Sequence, residues 1–415
     1  MVKFFDTCAL LDLQMEAFET DKKFYISNIT LIELEQIKTS ATRDEDIKYK
    51  ARKLLHLLNE HNDRYNTIIY NVDKFDPYIK NFGLMINNDS RIIATAYDLM
   101  MNGQDILFMT SDLNCREIAY SLGLDTMYLG DIKDDNYTGF KIIDFDETEL
   151  ALFYGEVLQY NQNPYNLLIN EYLLIKDRNK IIDEYKWTES GYIKIPFTKA
   201  ESKQFGKIVP LNGDPYQKIA LDSLASNQIT MLRGSAGTGK SYLAFGYMFE
   251  LLEEGKIDKI VIFCNTVATK GSAKLGFYPG SRTEKLLDSQ IGNLLESKIG
   301  SKIAVEKLID EDKLVLLPMS DIRGYDTTGM NCAVYITEAQ NLDIELMRLA
   351  LQRIGEDSIC ILDGDSNAQV DLAMYAGNQN GMRRVSKVFR NNDCYGEVTL
   401  QNIYRSRIAN LAQSL

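Results

Sequence analysis

The 415-residue chain has almost no histidine: His56 and His61 are its only imidazoles. Its six cysteines (Cys8, Cys115, Cys264, Cys332, Cys360 and Cys394) stand singly, with no C-x-x-C pair. That spacing excludes a disulfide framework and argues against a structural zinc site, so reduced thiols are the simpler reading. No apolar run approaches the roughly eighteen residues needed to cross a bilayer. Asp6 and Asp12 interrupt the opening segment before any signal-peptide core forms. These absences lead to the expectation of a cytoplasmic protein. Internal repeats and low-complexity tracts are also missing. Basic charge is in short supply, since 46 Lys+Arg against 59 Asp+Glu leave −13, which taken whole argues against a nucleic-acid binder. What is plentiful is apolar surface: 45% of residues are hydrophobic, enough for globular cores, and the length fits two or three domains.

Dividing the charge by region changes its meaning. Residues 1–140 carry 15 basic and 23 acidic side chains, a balance of −8, while residues 141–209 stand at −2 and residues 210–415 at −3. The first region opens with an apolar strand, Val2 to Phe5. Helical patterns follow around Leu31 to Ile37 and Ala51 to Leu58, and Ile92, Ile93, Ala96, Leu99 and Met100 recur at helical spacing. A buried strand is read near Ile106 to Thr110 and an edge strand within Gly123 to Gly130. Strands alternating with helices imply a parallel sheet covered on both faces. Residues 141–209 lose that alternation and read as a small β-rich connector, with short runs at Tyr172 to Ile175 and Tyr192 to Ile195. From Pro210 the alternation returns, with strands expected at Ile229–Leu232, Ile260–Phe263, Leu314–Leu317, Ala333–Ile336 and Ile359–Leu362. The fold class is therefore α/β throughout, with a β-rich segment between two parallel-sheet domains.

Gly234, Ser235, Ala236, Gly237, Thr238, Gly239, Lys240 and Ser241 match G-x-x-x-x-G-K-[ST] between a strand and a helix. Glycines let successive N–H groups point at phosphate oxygens, and the helix start adds partial positive charge. Lys240 is expected to reach the β and γ phosphates of ATP, and Ser241 to offer its hydroxyl to Mg²⁺. Glu338, just beyond a strand, is suited to orient or deprotonate the attacking water. Asp363, Gly364, Asp365 and Gln369 end the next strand, where an Asp can organise the metal's water shell, Asp365 being the candidate, and a Gln can sense the γ phosphate. Gln217 is suited to read an adenine edge.

These segments resemble the PhoH family, a RecA-like ATPase domain related to superfamily 1 helicases. The likeness runs through Leu211 to Gln217, through Leu275 to Lys285 (G-[YF]-x-P-G-x-x-x-E-K), and through Ile336 to Asn341 (D-E-A-Q-N). It continues in Gln352 to Gly355 (T-R-I-G), in Gly364, Asp365, Gln369 and Asp371 (G-D-x-x-Q-x-D), and in Gln401 to Ser406. One position departs: the acidic residue expected before Glu338 is Thr337. That carboxylate usually holds Mg²⁺ through the loop Ser and water, so two expectations stay open, slow hydrolysis or compensation by Asp365. A lone RecA-like domain supplies half of a helicase-type ATP site. The resemblance thus implies a homo-oligomeric ring, a hexamer favoured, with Arg353 and Arg405 as candidates for a finger reaching the neighbouring site.

Asp6, Glu33, Asp89 and Asp112 fall at strand ends or helix starts of the first region, which converge at one edge of a parallel sheet. Gathered there, they call for a hard divalent cation, Mg²⁺ or Mn²⁺. Asp12, Asp98 and Asp105 read as solvated surface. The four site carboxylates, with Thr7, Leu34, Ile92 and Thr110, resemble the PIN nuclease family, and fusion of a PIN domain to a PhoH domain through a small β linker is a known architecture. The likeness implies metal-dependent phosphodiester cleavage, with one or two metals undecided. Lys270, Lys274, Arg282 and Lys285, interleaved with Phe277 and Tyr278, suit an unpaired strand, since basic groups neutralise phosphates and aromatics stack on bases. Asp321 to Tyr325 is a second candidate loop. The combined expectation is an ATP-dependent RNA helicase or translocase coupled to cleavage of single-stranded RNA, DNA not excluded. The rival is an ATP-binding, RNA-binding scaffold with an inactive PIN domain.

Overall fold

Predominantly apolar runs of four to six residues (Val2–Phe5, Ile106–Thr110, Ile229–Arg233, Cys332–Ile336, Ile359–Gly364) become the strands that carry the sites. The computed structural model describes residues 1–415 apart from 21, 42, 44, 130–136, 179, 197, 265–289, 366–379 and 405–415. The chain divides into two units, Met1–Asn136 and Tyr137–Leu415.

In the first unit, β1 (Val2–Phe5), β2 (Phe24–Ser27), β3 (Tyr65–Ile68), β4 (Ile106–Thr110) and β5 (Asp125–Tyr128) form a parallel sheet in the order β3-β2-β1-β4-β5. Helices α1 (Thr7–Leu13), α2 (Asn28–Thr39), α3 (Glu45–Glu60), α4 (Val72–Asn81), α5 (Asn88–Met101) and α6 (Leu113–Ser121) connect them. Successive strand residues point to opposite faces, and each face has its own core. Phe5, Phe24, Ile26 and Met109 pack with Leu10, Leu34 and Leu54 on one side, while Phe4 and Phe108 pack with Ile92, Ile93 and Ala119 on the other. Each fully buried Phe or Ile contributes about 1.5–3 kcal/mol of transfer free energy. Asp98, expected at the surface, is instead buried in α5. Helix α4 packs on α5 and carries Lys74 onto Asp98, with Nζ 2.7 Å from Oδ2, so the carboxylate is paired rather than solvated.

The second unit begins with β6 (Phe140–Asp144), the short helix α7 (Glu147–Leu152), β7 (Tyr172–Asp177), β8 (Lys180–Thr188) and β9 (Gly191–Lys194), whose strands form one four-stranded sheet in sequence order. A two-stranded ribbon, β10 (Ala200–Ser202) with β11 (Gly206–Ile208), follows. The main sheet is all parallel, ordered β14-β13-β15-β16-β12-β17. Its strands are β12 (Ile229–Arg233), β13 (Lys259–Cys264), β14 (Leu314–Pro318), β15 (Cys332–Ile336), β16 (Ile359–Gly364) and β17 (Tyr395–Thr399). Helix α8 (Pro215–Ser226) leads into β12, and α9 (Lys240–Glu253) leaves it. The smaller sheet shares a core with the larger one, since Phe140, Tyr172, Leu174 and Ile195 belong to the same buried cluster as Leu232, Phe245 and Tyr335. Polar ties reinforce it: the Tyr172 hydroxyl and Lys186 Nζ both donate to Asp222 Oδ2 on α8, at 2.9 and 3.0 Å.

Candidate functional site

The loop between β12 and α9 is built by its glycines. Gly234, Gly237 and Gly239 have φ of +136°, +90° and +98°, conformations a side chain would strain, and a Cβ on Gly234 would lie 2.6 Å from the Leu400 carbonyl oxygen. Gly239 caps α9, whose first residues are Lys240 and Ser241. Lys240 Nζ folds over the loop and donates to the Gly234 and Ser235 carbonyls at 2.5 and 3.1 Å. Thr238 anchors the loop through its hydroxyl, which donates to the Ser235 carbonyl at 3.0 Å. Ser235, Ala236 and Gly237 form the crown. Backbone N–H groups at a helix start, a Lys and a Ser hydroxyl together form an anion-binding cradle with a cation ligand beside it.

Gln217 does not stand free to read a base. It is buried, its Oε1 accepts from Leu211 N–H at 2.9 Å, and its Nε2 donates to the Thr238 carbonyl at 3.1 Å, so its amide braces the loop from behind. Tyr404 adds a contact that nothing in the local sequence signals. Its N–H donates to the Gly237 carbonyl at 2.9 Å and its hydroxyl to Asp214 at 2.7 Å, bringing the end of the described chain onto the loop.

Glu338 follows β15 with φ +50° and ψ +42°, a left-handed backbone rarely adopted by a residue with a Cβ and characteristic of functional positions. Its Oε2 accepts from Gln340 Nε2 at 2.5 Å. The carboxylate that meets Ser241 is neither Asp365 nor anything at position 337. It is Asp363, whose Oδ2 accepts from the Ser241 hydroxyl at 2.8 Å and whose Oδ1 accepts from Glu338 N–H at 3.2 Å. The Asp365 backbone N–H donates to Gln340 Oε1 at 3.3 Å. Arg353 lies in the turn ahead of β16, at the strand-start edge of the sheet, opposite the loop, and its carbonyl accepts from Thr327 N–H at 3.0 Å. Gln369, Arg405, Lys270, Lys274, Phe277, Tyr278, Arg282 and Lys285 lie outside the described residues. The segment from Asp321 to Tyr325 falls on a single 3-10 stretch and its cap, with Ile322 buried and Arg323 exposed.

In the first unit Asp6 leaves β1 and caps α1. Its Oδ1 accepts from Ala9 N–H at 2.6 Å and its Oδ2 from the Thr110 hydroxyl at 2.5 Å. Burial pushes the Asp6 carboxyl up to about 7 against those two hydrogen bonds, and the negative charges of Asp89 and Glu33 add to the rise. Asp89 is raised as well, first by burial and then by Glu33 and Asp112. Asn87, not Asp89, caps α5, in a reciprocal pair with Ser90, so the Asp89 carboxylate is not consumed by capping. Asp112 caps α6 through Cys115 N–H at 3.0 Å. Glu33 stands inside α2 rather than at its start, and the Thr7 hydroxyl donates to it. Asp89 and Glu33 thus repel charge on Asp6, Glu33 and Asp112 repel charge on Asp89, and no basic side chain is among the principal influences on either. Among the described residues, no group of three or more His, Cys, Asp or Glu side chains is close enough to hold a metal ion. The donor chemistry still fits a hard cation such as Mg²⁺, which keeps much of its water shell and binds through one or two carboxylates.

Residues 210–414 match the family described as PhoH-like protein, and residues 4–129 match the PIN domain family. The chain is a PIN domain fused to a PhoH domain. It is similar along most of its length to proteins named PhoH2. The one from Thermobispora bispora is 26% identical over 393 residues, covering 89% of this chain and 86% of that protein. The one from Bacillus subtilis is 27% identical over 351 residues, covering 79% and 77%. The anion cradle thus lies in a PhoH-type P-loop ATPase domain and the carboxylate cluster in a PIN nuclease-like domain. The residue whose part in the PhoH site the sequence does not disclose is Asp363. Its signal is present, an acidic side chain ending an apolar strand, but it stands beside Asp365 and only the fold separates the two. Among the described residues, no helix is long and apolar enough to cross a membrane.

Proposed function

We propose that the chain is an ATP-powered RNA-processing enzyme, in which the PhoH domain hydrolyses ATP to move or unwind RNA and the PIN domain cuts the single strand. The observation that carries this reading is the constellation around Ser241. A phosphate cradle, a carboxylate on the metal-ligand hydroxyl and a strained Glu338 stand at adjoining strand ends of one sheet. In the reaction, a water oxygen bonds to the γ phosphorus as its bond to the β–γ bridging oxygen breaks, and ADP and phosphate leave. Glu338 orients that water and takes its proton, while Lys240 and the loop N–H groups hold the phosphate oxygens. Mg²⁺ bound with the nucleotide supplies neutralisation of charge on those oxygens. This geometry favours turnover over the scaffold reading, in which Thr337 leaves ATP as an assembly ligand.

For the PIN domain the supporting observation is electrostatic. Burial first, and behind it the neighbouring negative charges of Glu33 and Asp89 on Asp6 and of Glu33 and Asp112 on Asp89, raise the proton affinity of Asp6 and Asp89, and a divalent cation would relieve the repulsive part. When bound there, Mg²⁺ or Mn²⁺ supplies an activated water and charge stabilisation at the scissile phosphate. Asp89 and Asp112 would hold the hydrated ion there. A homo-oligomeric ring is part of the proposal. Arg353 lies at the sheet edge opposite the P-loop, so any part it plays at a nucleotide would be at that of a neighbouring copy.

The decisive experiment incubates labelled single-stranded RNA and DNA with the full chain, with and without ATP and Mn²⁺. Cleavage that needs metal, disappears in Asp89→Asn/Asp112→Asn and leaves ATP turnover intact supports the nuclease. ATP-dependent strand separation abolished by Lys240→Ala supports the motor. Phosphate release no faster than that of Lys240→Ala refutes the hydrolase.

A further inference from the structure

The carboxylate that the resemblance expects before Glu338, at the end of β15, is absent, because Thr337 occupies the position. Strand β16 lies directly beside β15, with Ile336 paired to Leu362, so residues 337 and 363 are the next positions on two adjoining strands. It also lies directly beside β12, the strand that runs into the P-loop, with Leu232 paired to Asp363 and Gly234 N–H donating to the Gly364 carbonyl at 3.3 Å. A side chain at 363 is thus one strand nearer the P-loop than a side chain at 337.

Asp363 uses that position. It is buried, only 3% exposed, with one oxygen on the Ser241 hydroxyl and the other on Glu338 N–H. Tyr335, fully buried on β15, has Asp363 and Ser241 among the groups acting on its hydroxyl. Burying a carboxylate is costly without a compensating charge or several hydrogen bonds, and the donors to Asp363 are neutral. A hydrated Mg²⁺ on Ser241 would supply the missing positive charge through its waters. We propose that Asp363 is the carboxylate that holds the water shell of the nucleotide's Mg²⁺ in this chain, the duty having moved from the end of β15 to the end of β16. Asp363 is a positioning residue: it acts through Ser241 and metal-bound water, and it sets the backbone of Glu338. This rests on the reading of the PhoH domain as a Mg²⁺–ATP site.

The test uses the full-length protein and a fluorescent, slowly hydrolysed ATP analogue, titrated in EDTA and across a Mg²⁺ series, with thermal melting as the check on folding. In the wild type Mg²⁺ tightens binding. Asp363→Asn is expected to need about 10- to 100-fold more Mg²⁺ for the same gain, the usual cost of losing an outer-shell carboxylate, while its affinity in EDTA stays within about twofold of wild type. Thr337→Ala is expected to change the Mg²⁺ requirement by less than about threefold. The exchange variant Thr337→Asp/Asp363→Thr, which keeps one carboxylate at the site, is expected to recover most of the Mg²⁺ dependence and does not rely on the single variant folding. An Asp363→Asn protein with the wild-type Mg²⁺ requirement overturns the proposal, as does loss of that requirement in Thr337→Ala. An exchange variant that melts like the wild type but no longer responds to Mg²⁺ also overturns it. If the wild type binds the analogue no better than Lys240→Ala under any condition, the nucleotide reading itself fails and the proposal falls with it.

Discussion

Burial lifts the Asp6 carboxyl from 3.8 to about 7 although the Thr110 hydroxyl and Ala9 N–H both favour its ionised form. The folded protein then binds this proton more tightly than the unfolded chain does. Stability from this group is full below the unfolded value near 4, falls as pH rises, and is lost above 7. In EDTA at pH 8, Asp6→Asn is therefore expected to be more stable than wild type by about 2–4 kcal/mol, and near pH 4 the two should converge. Melting curves at the two pH values decide it, and equal midpoints at pH 8 refute it. Adding Mn²⁺ at pH 8 should raise the wild-type midpoint more than that of Asp6→Asn, because only the wild type has that charge to neutralise. Glu338 makes a separate prediction at this scale. Glu338→Gln keeps the shape and the strained backbone but cannot take a proton, so ATP turnover should fall about 10²- to 10⁴-fold with nucleotide affinity unchanged. Phosphate release and analogue binding measured side by side separate the two effects.

Among the elements, β17 shows how the second unit is closed. Gly139 (φ +82°) leads into β6, and a Cβ there would sit 1.6 Å from the Glu397 carbonyl oxygen of β17. Neither backbone can yield cheaply, so Gly139→Ala is expected to cost about 3 kcal/mol or more, read as a shift in denaturant midpoint. Strand β17 is also the element least visible in the sequence. Tyr395-Gly-Glu-Val-Thr399 carries a charge at its centre, and that charge is tolerable only because Arg233, on β12, reaches Glu397 at 2.8 Å and the Tyr395 hydroxyl donates to it at 2.8 Å. Strand β3, Tyr65–Ile68, is hidden for another reason, since its two central residues are polar and exposed. By contrast Leu314–Pro318 and Cys332–Ile336 are uninterrupted apolar runs and are legible to within a residue. The same division holds for the sites. The P-loop is local and can be read directly. The role of Asp363 depends on Ser241, 122 residues away, and only the strand order selects it over Asp365.

For the whole molecule, the division into Met1–Asn136 and Tyr137–Leu415 leads to a truncation experiment. A fragment of residues 137–415 should fold and retain ATP turnover. A fragment of residues 210–415 loses the partners of a shared core, Phe140, Tyr172, Leu174 and Ile195, and the Lys186 charge that faces Asp222. Leaving Asp222 partly buried and without that cation costs about 3–5 kcal/mol. The shorter fragment should therefore aggregate or melt far below the longer one, and equal melting points would refute the shared core. The surplus of negative charge belongs chiefly to the PIN region, so binding of labelled single-stranded RNA by the full chain is expected to tighten as Mg²⁺ is added, and a titration showing no change would refute it.

The pairing of Ile336 with Leu362 has an evolutionary consequence. Positions 337 and 363 extend two paired strands, so a carboxylate can pass from one to the other in two substitutions with the backbone unchanged. An intermediate with acids at both positions keeps a carboxylate at the site throughout. A lineage drifting along that route changes its apparent signature while a carboxylate stays at the site, and a search for the acid in its customary column would miss it.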